Sequence, residues 1–364
     1  MDKVFILAGE PSGDLHGSLL AKQLFLQHPN LEIKGWGGDS MKSQGVEILR
    51  TLDHLAFMGF IEVAKKFSTI FQNFRLCKKQ ITEFDPDVIV FIDYPGFNLR
   101  MAKWAKSKGF KTIQYIAPAV WAWKEGRLKT IKKYVDELLV ILPFEKEYFY
   151  ENGIEAHYVG HPLVEEISLW KEDPIFKLPN AKKVNIGLFP GSRLQEIKYI
   201  LPDLIQLAKS NLSYQFYIAV PKHLDLDVYT EYTADVKNVD LIKDYTYDLL
   251  SKIDAAMVAS GTATLEVALF NVPQIVCYKT SPISYLIAKR LVKTKYISLV
   301  NLIFNREVVK ELIQGDMNQE KLQKYLSLLL KSFRSNDKRI YGELRNKLTM
   351  INASKKAADI ILEV

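Results

Sequence analysis

Two carboxylates stand where apolar runs of the chain give way to glycine-containing loops. Glu10 follows the run from Val4 to Ala8, and Asp93 follows the run from Val88 to Ile92. Side chains just beyond the carboxyl ends of parallel strands line the ligand crevice of an open α/β sheet. A carboxylate on such a rigid element can remove a proton from a sugar hydroxyl, so Asp93 and Glu10 are the candidate catalytic residues. Simple turns, with Asp14 or Asp93 capping the following backbone, are the alternative.

Two loops in the second half of the chain have the composition of phosphate-binding loops. The loop Gly191-Ser192-Arg193 offers backbone N–H groups, a hydroxyl and a guanidinium to a diphosphate. The loop Gly261-Thr262 opens a second predicted helix, and Glu266 lies one turn inside it, where a carboxylate can accept hydrogen bonds from both hydroxyls of a ribose. A capping box, in which Glu266 bonds back to the start of its own helix, would need the same residue types.

Other ligand classes are disfavoured by what these loops lack. The first loop has neither the GxGxxG spacing of dinucleotide-binding proteins nor the Gly-Lys-Ser/Thr of a P-loop, which disfavours a dehydrogenase or an NTPase. The Asp-x-Asp triplets at 85–87 and 225–227 are typical of solvated turns, and the six histidines form no HxxH or HxxxH pair. We therefore expect no metal and no other cofactor.

The length and net charge of the chain indicate how many domains it forms and what kind of partner it binds. With 364 residues, 48% of them hydrophobic, the chain is long enough for two domains. Lys and Arg total 49 against 42 acidic residues, and the net charge of +7 favours an anionic partner. The first residues contain too short an apolar run for a secretory signal, and no apolar stretch approaches the roughly 18 residues that cross a bilayer, so any membrane contact should be peripheral.

Short aliphatic runs alternate with segments of helical period in both halves of the chain, which predicts parallel sheets. The expected fold is α/β, with two Rossmann-like domains at residues 1–175 and 176–345 that are joined near a polar, proline-containing segment at 171–183. We expect residues 346–364 to form a C-terminal tail of helices that packs back across the domains. No strand is predicted after Cys277.

One predicted helix has both apolar and basic faces. From Phe60 to Phe84, apolar residues recur at helical spacing with five cations between them, as in helices that lie on anionic lipid. A core-facing helix would show the same stripe. The candidate membrane or acyl-chain contacts are Phe67, Ile70, Phe71 and Phe74.

Nine separated motifs together resemble lipid-A-disaccharide synthase, a family of GT-B glycosyltransferases. They cover nearly the whole chain, in order. They lie at residues 8–14, 58–63, 92–98, 118–123, 142–146, 159–161, 190–193, 260–266 and 291–302.

The resemblance implies an inverting, metal-independent transfer from UDP-2,3-diacylglucosamine to 2,3-diacylglucosamine 1-phosphate, giving the β-1,6 disaccharide of lipid A and UDP. It implies a peripheral protein on the cytoplasmic face of the inner membrane, bound to an anionic lipid surface rather than to nucleic acid, and it is compatible with a homodimer. Asp93 matches the family's proposed base and Glu10 an essential acidic residue. Arg193, Glu266 and Asn301 match residues of the UDP site.

The sequence departs from the family pattern at three positions. Gly96 replaces an aspartate common in the family, Pro11 replaces a small residue beside Glu10, and Val300 stands where proline is usual. Two alternatives to the implied function remain. One is another UDP-sugar GT-B enzyme, such as a peptidoglycan glycosyltransferase or an epimerase, and the other is a non-catalytic binder of sugar nucleotides.

Overall fold

The computed structural model describes residues 1–52, 67–332, 335–348 and 352–364. The chain forms two compact units. The first contains residues 1–165 together with 348–364, and the second contains residues 166–347.

A parallel sheet of seven strands forms the centre of the described part of the first unit. In chain order the strands are β1 (Lys3–Ala8), β2 (Glu32–Gly37), β3 (Glu47–Thr51), β4 (Val88–Ile92), β5 (Lys111–Tyr115), β6 (Glu137–Val140) and β7 (His157–Tyr158). Across the sheet the order is β3-β2-β1-β4-β5-β6-β7. All five residues of β4 are buried, as expected for a strand covered on both faces.

Helices connect these strands. They are α1 (Pro11–Gln27), α2 (Asp39–Ser43), α3 (Phe67–Phe84), α4 (Pro95–Ser107), α5 (Arg127–Tyr134), α6 (Glu145–Glu151) and α7 (Pro162–Leu169), the last of which contains the boundary between the two units. The predicted helix from Phe60 is therefore described from Phe67 onward, and its earlier residues, with Lys65 and Lys66, lie outside the described residues.

The second unit repeats this plan. Its strands are β8 (Asn185–Phe189), β9 (Gln215–Val220), β10 (Val239–Lys243), β11 (Ala255–Ala259), β12 (Gln274–Tyr278) and β13 (Lys310–Ile313), in the order β10-β9-β8-β11-β12-β13. Its helices are α8 (Leu194–Lys209), α9 (Asp227–Thr233), α10 (Thr246–Leu250), α11 (Ala263–Leu269), α12 (Pro282–Leu291), α13 (Leu299–Phe304), α14 (Gln319–Ser332) and α15 (Ser335–Leu348).

The last helix, α16 (Ala353–Glu363), belongs to the first unit. Its apolar residues Ala357, Ala358 and Ile361 are buried in the same core cluster as Leu20 of α1. The C-terminal helix therefore completes the core of the unit with which the chain began.

Two parallel sheets with alternating helices confirm the predicted pair of Rossmann-like domains. The prediction that no strand follows Cys277 is wrong, because β13 pairs with β12 between Cys277 and Leu312. This four-residue strand lies at the edge of its sheet, and Leu312 is its one buried residue. A short edge strand containing a lysine and a glutamate lacks the continuous apolar run that predicts buried strands such as β4.

Gly35 and Gly96 predict opposite responses to the same substitution. A Cβ at Gly35 would stand 2.0 Å from the backbone oxygen of Ile6, whereas a Cβ at Gly96, in the first turn of α4, would meet nothing within 4 Å. Gly35→Ala should lower the free energy of unfolding by about 1–3 kcal/mol. Gly96→Ala should leave it unchanged or raise it by up to about 1 kcal/mol. Urea titration of both variants measures this, and equal effects would contradict the packing of β2 on β1.

Candidate functional site

The register of the first sheet brings the two predicted catalytic carboxylates to one edge. Strands β1 and β4 pair in parallel, with Ala8 opposite Ile92. Glu10 and Asp93 follow these partners by two residues and one residue, and both are partly exposed. The sequence predicts that each carboxylate follows the carboxyl end of a strand, and the structure adds that the two strands are neighbours.

The backbone of Asp93 has a conformation that few non-glycine residues adopt. Asp93 and Tyr94 have φ angles of 42° and 45°. The side-chain amide of Asn98, which is fully buried, donates to the carbonyl oxygens of Asp93 at 2.7 Å and Ile92 at 3.1 Å, and that of Gln114 donates to Asp93 O at 3.4 Å. These bonds hold the turn after β4, and so they fix the direction in which the Asp93 carboxylate leaves the sheet.

The turn also packs directly on the Glu10 loop. A Cβ at Gly9 would stand 2.3 Å from the Tyr94 ring, so only glycine allows this contact. Burial raises the pKa of Tyr94, and the nearby negative charge of Glu10 raises it further. The two loops therefore form a single surface at the edge of the sheet.

The departure at Pro11 is compatible with the Glu10 loop. Pro11 is the first residue of α1 and Glu10 is its N-cap residue, a position next to which proline is favoured. Asp14 lies inside α1, where it accepts hydrogen bonds from the backbone N–H groups of Gly38, Ser40 and Met41. Asp14 thus anchors the connection from β2 to α2 and does not cap its own helix.

Glu145 and Arg127 lie near Asp93 and were missed by the sequence reasoning. Glu145 is buried and accepts hydrogen bonds from the Trp121 indole at 3.0 Å and from the backbone N–H groups of Ile141 and Leu142. Burial raises the pKa of Glu145 to about 7 despite these donors, and the charge of Asp93 raises it further. Burial lowers the pKa of Arg127, and the negative charge of Asp93 offsets part of this lowering. Glu145 lies in the motif at 142–146, but no pattern in the sequence predicts that Glu145 or Arg127 is a neighbour of Asp93.

In the second unit, the loop Gly191-Ser192-Arg193 begins α8 as predicted. Gly191 has a φ of +109°, and the backbone N–H groups of Ser192 and Arg193 donate to the Glu196 carboxylate at 3.0 and 3.3 Å. The Arg193 guanidinium contacts the other oxygen of the same carboxylate at 3.2 Å. The loop therefore binds an anionic group, which in this structure belongs to the chain itself.

Glu266 does not form a capping box. It lies in the first turn of α11, partly exposed, and accepts no hydrogen bond from any described residue. Its neighbours include Glu166, whose carboxylate accepts a 2.7 Å hydrogen bond from the Tyr247 hydroxyl. Burial raises the pKa of Glu266 to about 7, and the charge of Glu166 contributes. The Tyr247 ring contacts Trp170 and Phe270, so Glu266 lies beside an aromatic cluster that no sequence motif indicated.

Asn301 differs in its surroundings from the other residues predicted to bind the sugar-nucleotide donor. Its side chain is fully buried, donates to Val309 O and Glu311 at 2.8 Å each, and accepts from the backbone N–H groups of Val308 and Val309. Every polar atom of the amide is thus used within the connection from α13 to β13. An influence of Asn301 on a nucleotide would act through this connection. Ser260 links the Gly261-Thr262 loop to the same region by donating to Ile297 O at 2.9 Å.

The candidate lipid contacts divide into an exposed and a packed part. Phe71 is 58% exposed, and Ile70 is partly exposed. Phe74 stacks on Phe97 at a centroid distance of 4.2 Å and so contributes to the core of the first unit. The side chain of Phe67 lies outside the described residues.

Helix α12 is a second exposed apolar surface, which the sequence reasoning did not identify. None of its residues is buried, and large side chains are more than half exposed at Ile283, Leu286, Ile287 and Leu291. Lys289 and Arg290 occupy its last turn, and no acidic residue occurs from 279 to 306. Apolar side chains beside positive charge are typical of surfaces that bind anionic lipid.

No helix within the described ranges is long and apolar enough to cross a membrane. Nor do the described residues contain a group of three or more His, Cys, Asp or Glu side chains placed to hold a metal ion. A cavity of about 700 Å³ lies beside α6 and β7, lined by residues that include Tyr150 and His157, and none of the predicted site residues lines it.

Solved structures with the same architecture identify the fold of this chain. The glycotransferase of kitacinnamycin matches 100% of this chain and 98% of its own, with a TM-score of 0.68 at 11% identity. UDP-GlcNAc 2-epimerase from Neisseria meningitidis, solved with UDP-GlcNAc, matches all of both chains with a TM-score of 0.67 at 13% identity. At such identities the likeness shows the fold alone, and that fold is the GT-B fold that the family resemblance implies.

Sequence comparison is more specific. The family described as lipid-A-disaccharide synthetase matches residues 4–364. Lipid-A-disaccharide synthase of Geobacter metallireducens is 36% identical over 373 residues, covering 100% of this chain and 97% of the relative. The synthase of Syntrophus aciditrophicus is 37% identical over 370 residues, covering 99% and 97%. This chain belongs to the lipid-A-disaccharide synthetase family, which confirms the family and the enzyme class predicted from the nine motifs.

The raised pKa of Glu266 predicts how its contribution to stability depends on pH. A carboxylate whose folded pKa is raised destabilises the folded state once the pH exceeds its unfolded pKa, and this cost grows until the pH passes the folded pKa, here about 7. Glu266→Gln removes the cost. The variant should therefore gain stability relative to the wild type as the pH rises from 5 to 7.5, by on the order of 1–2 kcal/mol after discounting for solvent.

Urea titrations at several pH values measure this difference. The exposed Glu231→Gln is the matched control, and its difference from the wild type should not change with pH in the same way. A constant difference for Glu266→Gln would contradict the coupling of Glu266 to burial and to Glu166.

Proposed function

We propose that the chain transfers a diacylglucosamine unit from UDP-2,3-diacylglucosamine to 2,3-diacylglucosamine 1-phosphate and releases UDP. The observation that carries the proposal is that Glu10 and Asp93 follow two paired strands, β1 and β4, at the same end of the sheet in a member of this family. The first unit would bind the acceptor and the second unit the donor.

In this proposal Asp93 is the general base. As the acceptor's 6-hydroxyl attacks the anomeric carbon, its proton passes to the Asp93 carboxylate while the bond from that carbon to the UDP oxygen breaks. Attack from the face opposite UDP in a single displacement inverts the anomeric configuration, by analogy with inverting glycosidases. The fixed backbone of Asp93 supports this role, because a base must be held at the right distance from the proton it removes.

The departing diphosphate needs its growing negative charge stabilised. Arg193 and the N–H groups at the start of α8 already surround a carboxylate, that of Glu196, so this loop is built to hold negative charge. A diphosphate would replace the Glu196 carboxylate on these donors or share them with it. The Gly261-Thr262 loop offers further N–H groups, and such fixed donors act most strongly where charge develops in the transition state.

Glu266 would hold the ribose of the donor. It has no hydrogen-bond donor among the described residues, so both of its oxygens are available to the two ribose hydroxyls. Tyr247 and Glu166 position it indirectly, through the shape and charge of the cluster behind it.

Asp93→Asn tests the base. The variant keeps the size and polarity of the side chain but cannot take the proton, so kcat should fall by about 10²- to 10⁴-fold with the KM of both substrates nearly unchanged. UDP release in the presence of both substrates gives both constants. Asp39→Asn, an exposed aspartate at the start of α2, is the matched control and should behave as the wild type.

Near-normal turnover by Asp93→Asn would exclude Asp93 as the base, and Glu10→Gln would then be measured in the same way. UDP release by the wild type without acceptor would instead favour hydrolysis or an epimerase-like reaction. Binding without UDP release would favour the non-catalytic sugar-nucleotide binder.

We also propose that the enzyme binds an anionic membrane surface peripherally, on the cytoplasmic face of the inner membrane, where its acylated substrates would lie. Phe71 of α3 and the exposed face of α12 would contact the lipid. Arg75 beside the Phe71 ring and Lys289 and Arg290 on α12 supply the positive charge.

Two variants test the surface. Phe71→Ser and the double variant Leu286→Ser/Ile287→Ser should each weaken binding to anionic vesicles by about 5-fold or more, since burial of one large apolar side chain is worth roughly 1.5–3 kcal/mol. Phe74 is left intact because it packs on Phe97. Vesicle sedimentation measures the binding, with Ile175→Ser, an even more exposed apolar side chain beside acidic residues, as the control. If either variant folds and binds vesicles as the wild type does, the helix that carries the substitution does not contact the lipid.

A further inference from the structure

We propose that Lys124 and Arg127, both of which contact the ring of Trp123, form a subsite for the phosphate monoester of the acceptor. The inference rests on the proposed function and extends it, because it assigns the part of the first unit that would distinguish a phosphorylated acceptor from an unphosphorylated one.

The two cations share one aromatic side chain. The Lys124 Nζ lies 4.2 Å from the centroid of the Trp123 ring, and the Arg127 Cζ lies 5.6 Å from it. Trp123 is 41% exposed, so this cluster is open to solvent and to a ligand. Two positive charges held this close repel one another, and an anion between them would relieve the repulsion.

No described residue neutralises either cation by a salt bridge or a side-chain hydrogen bond. Other basic side chains of the same unit do form such pairs, as Lys34 does with Glu32 and Glu47. Arg127 is moreover the first residue of α5, an eight-residue helix whose N-terminal end carries partial positive charge. Guanidinium, ammonium and helix terminus together match the double negative charge of a phosphate monoester.

The position of the cluster favours the acceptor over the donor. Arg127 is close enough to Asp93 for the two charges to influence each other, and Lys124 and Arg127 influence each other in turn. The subsite is thus in the unit of the proposed base, whereas the donor's diphosphate is assigned to loops of the second unit. The exposed face of Trp123 can also pack against a sugar ring, which would orient the acceptor beside Asp93.

The phosphate group that binds here could be the 1-phosphate of the acceptor sugar or the headgroup of a membrane lipid. The experiment distinguishes these two sources. Transfer is measured with the acceptor and with the same acceptor lacking its phosphate, both in detergent without anionic lipid. The variants are Lys124→Gln and Arg127→Gln, and the matched control is Lys129→Gln, an exposed cation on α5.

For each variant, the KM of the phosphorylated acceptor should rise by about 10- to 100-fold, the effect expected for loss of a charged hydrogen-bond partner. The KM of the unphosphorylated acceptor and that of the donor should change less than about 2-fold, and the control should match the wild type. A similar rise with both acceptors would show a structural effect and overturn the subsite, as would no rise with either.

A second measurement is independent of turnover. Titration of glucosamine 1-phosphate, and of glucosamine as its control, into wild-type protein and variants reports binding directly. If the wild type catalyses no transfer, the proposed function fails while this titration still decides the subsite. The subsite is supported if the wild type binds glucosamine 1-phosphate and the variants do not. It is contradicted if the wild type and the variants bind this sugar equally. If the variants lose only vesicle binding, the cations serve a lipid headgroup and the acceptor subsite is wrong.

Discussion

The parallel pairing of β1 with β4 is the constraint on which the rest of the first unit depends. Because Ala8 lies opposite Ile92, the loops that carry Glu10 and Asp93 must leave the sheet side by side. They can pack together only because Gly9 has no side chain where the Tyr94 ring lies. The buried amides of Asn98 and Gln114 then hold the turn that directs Asp93. A sheet edge thereby becomes a surface on which one carboxylate is fixed and partly exposed.

In both units a carboxylate with a raised pKa lies in the region of the proposed site. Glu145 is buried near Asp93, whose negative charge raises the pKa of Glu145 further and opposes the lowering of the Arg127 pKa. Glu266 lies near Glu166 and has no hydrogen-bond donor among the described residues. Perturbed acids of this kind cluster where proteins bind and transform substrates. The acceptor chemistry proposed for this enzyme depends on the surroundings of Asp93, and the donor binding depends on those of Glu266.

Much of the fold could be predicted from the sequence, because buried parallel strands such as β4 are continuous apolar runs that end in glycine-containing loops. The edge strand β13 could not, since two of its four residues are charged. Among site residues, Glu10, Asp93 and the Gly191-Ser192-Arg193 loop follow strand ends and are therefore visible in the sequence. Partners such as Glu145 and Tyr247 come from distant segments and become neighbours only on folding. Asn301 shows the converse limit, because a motif does not reveal whether its amide faces a ligand or the protein interior.

We propose that this enzyme joins two acylated glucosamine units by a single inverting displacement. The decisive experiment incubates the purified enzyme with both acylated substrates in EDTA, counts the UDP released and assigns the new linkage by nuclear magnetic resonance. We expect one UDP for each disaccharide formed, a β-1,6 linkage, and no UDP when the acceptor is omitted. An α linkage, UDP release without acceptor, or loss of activity in EDTA would rule out this reaction.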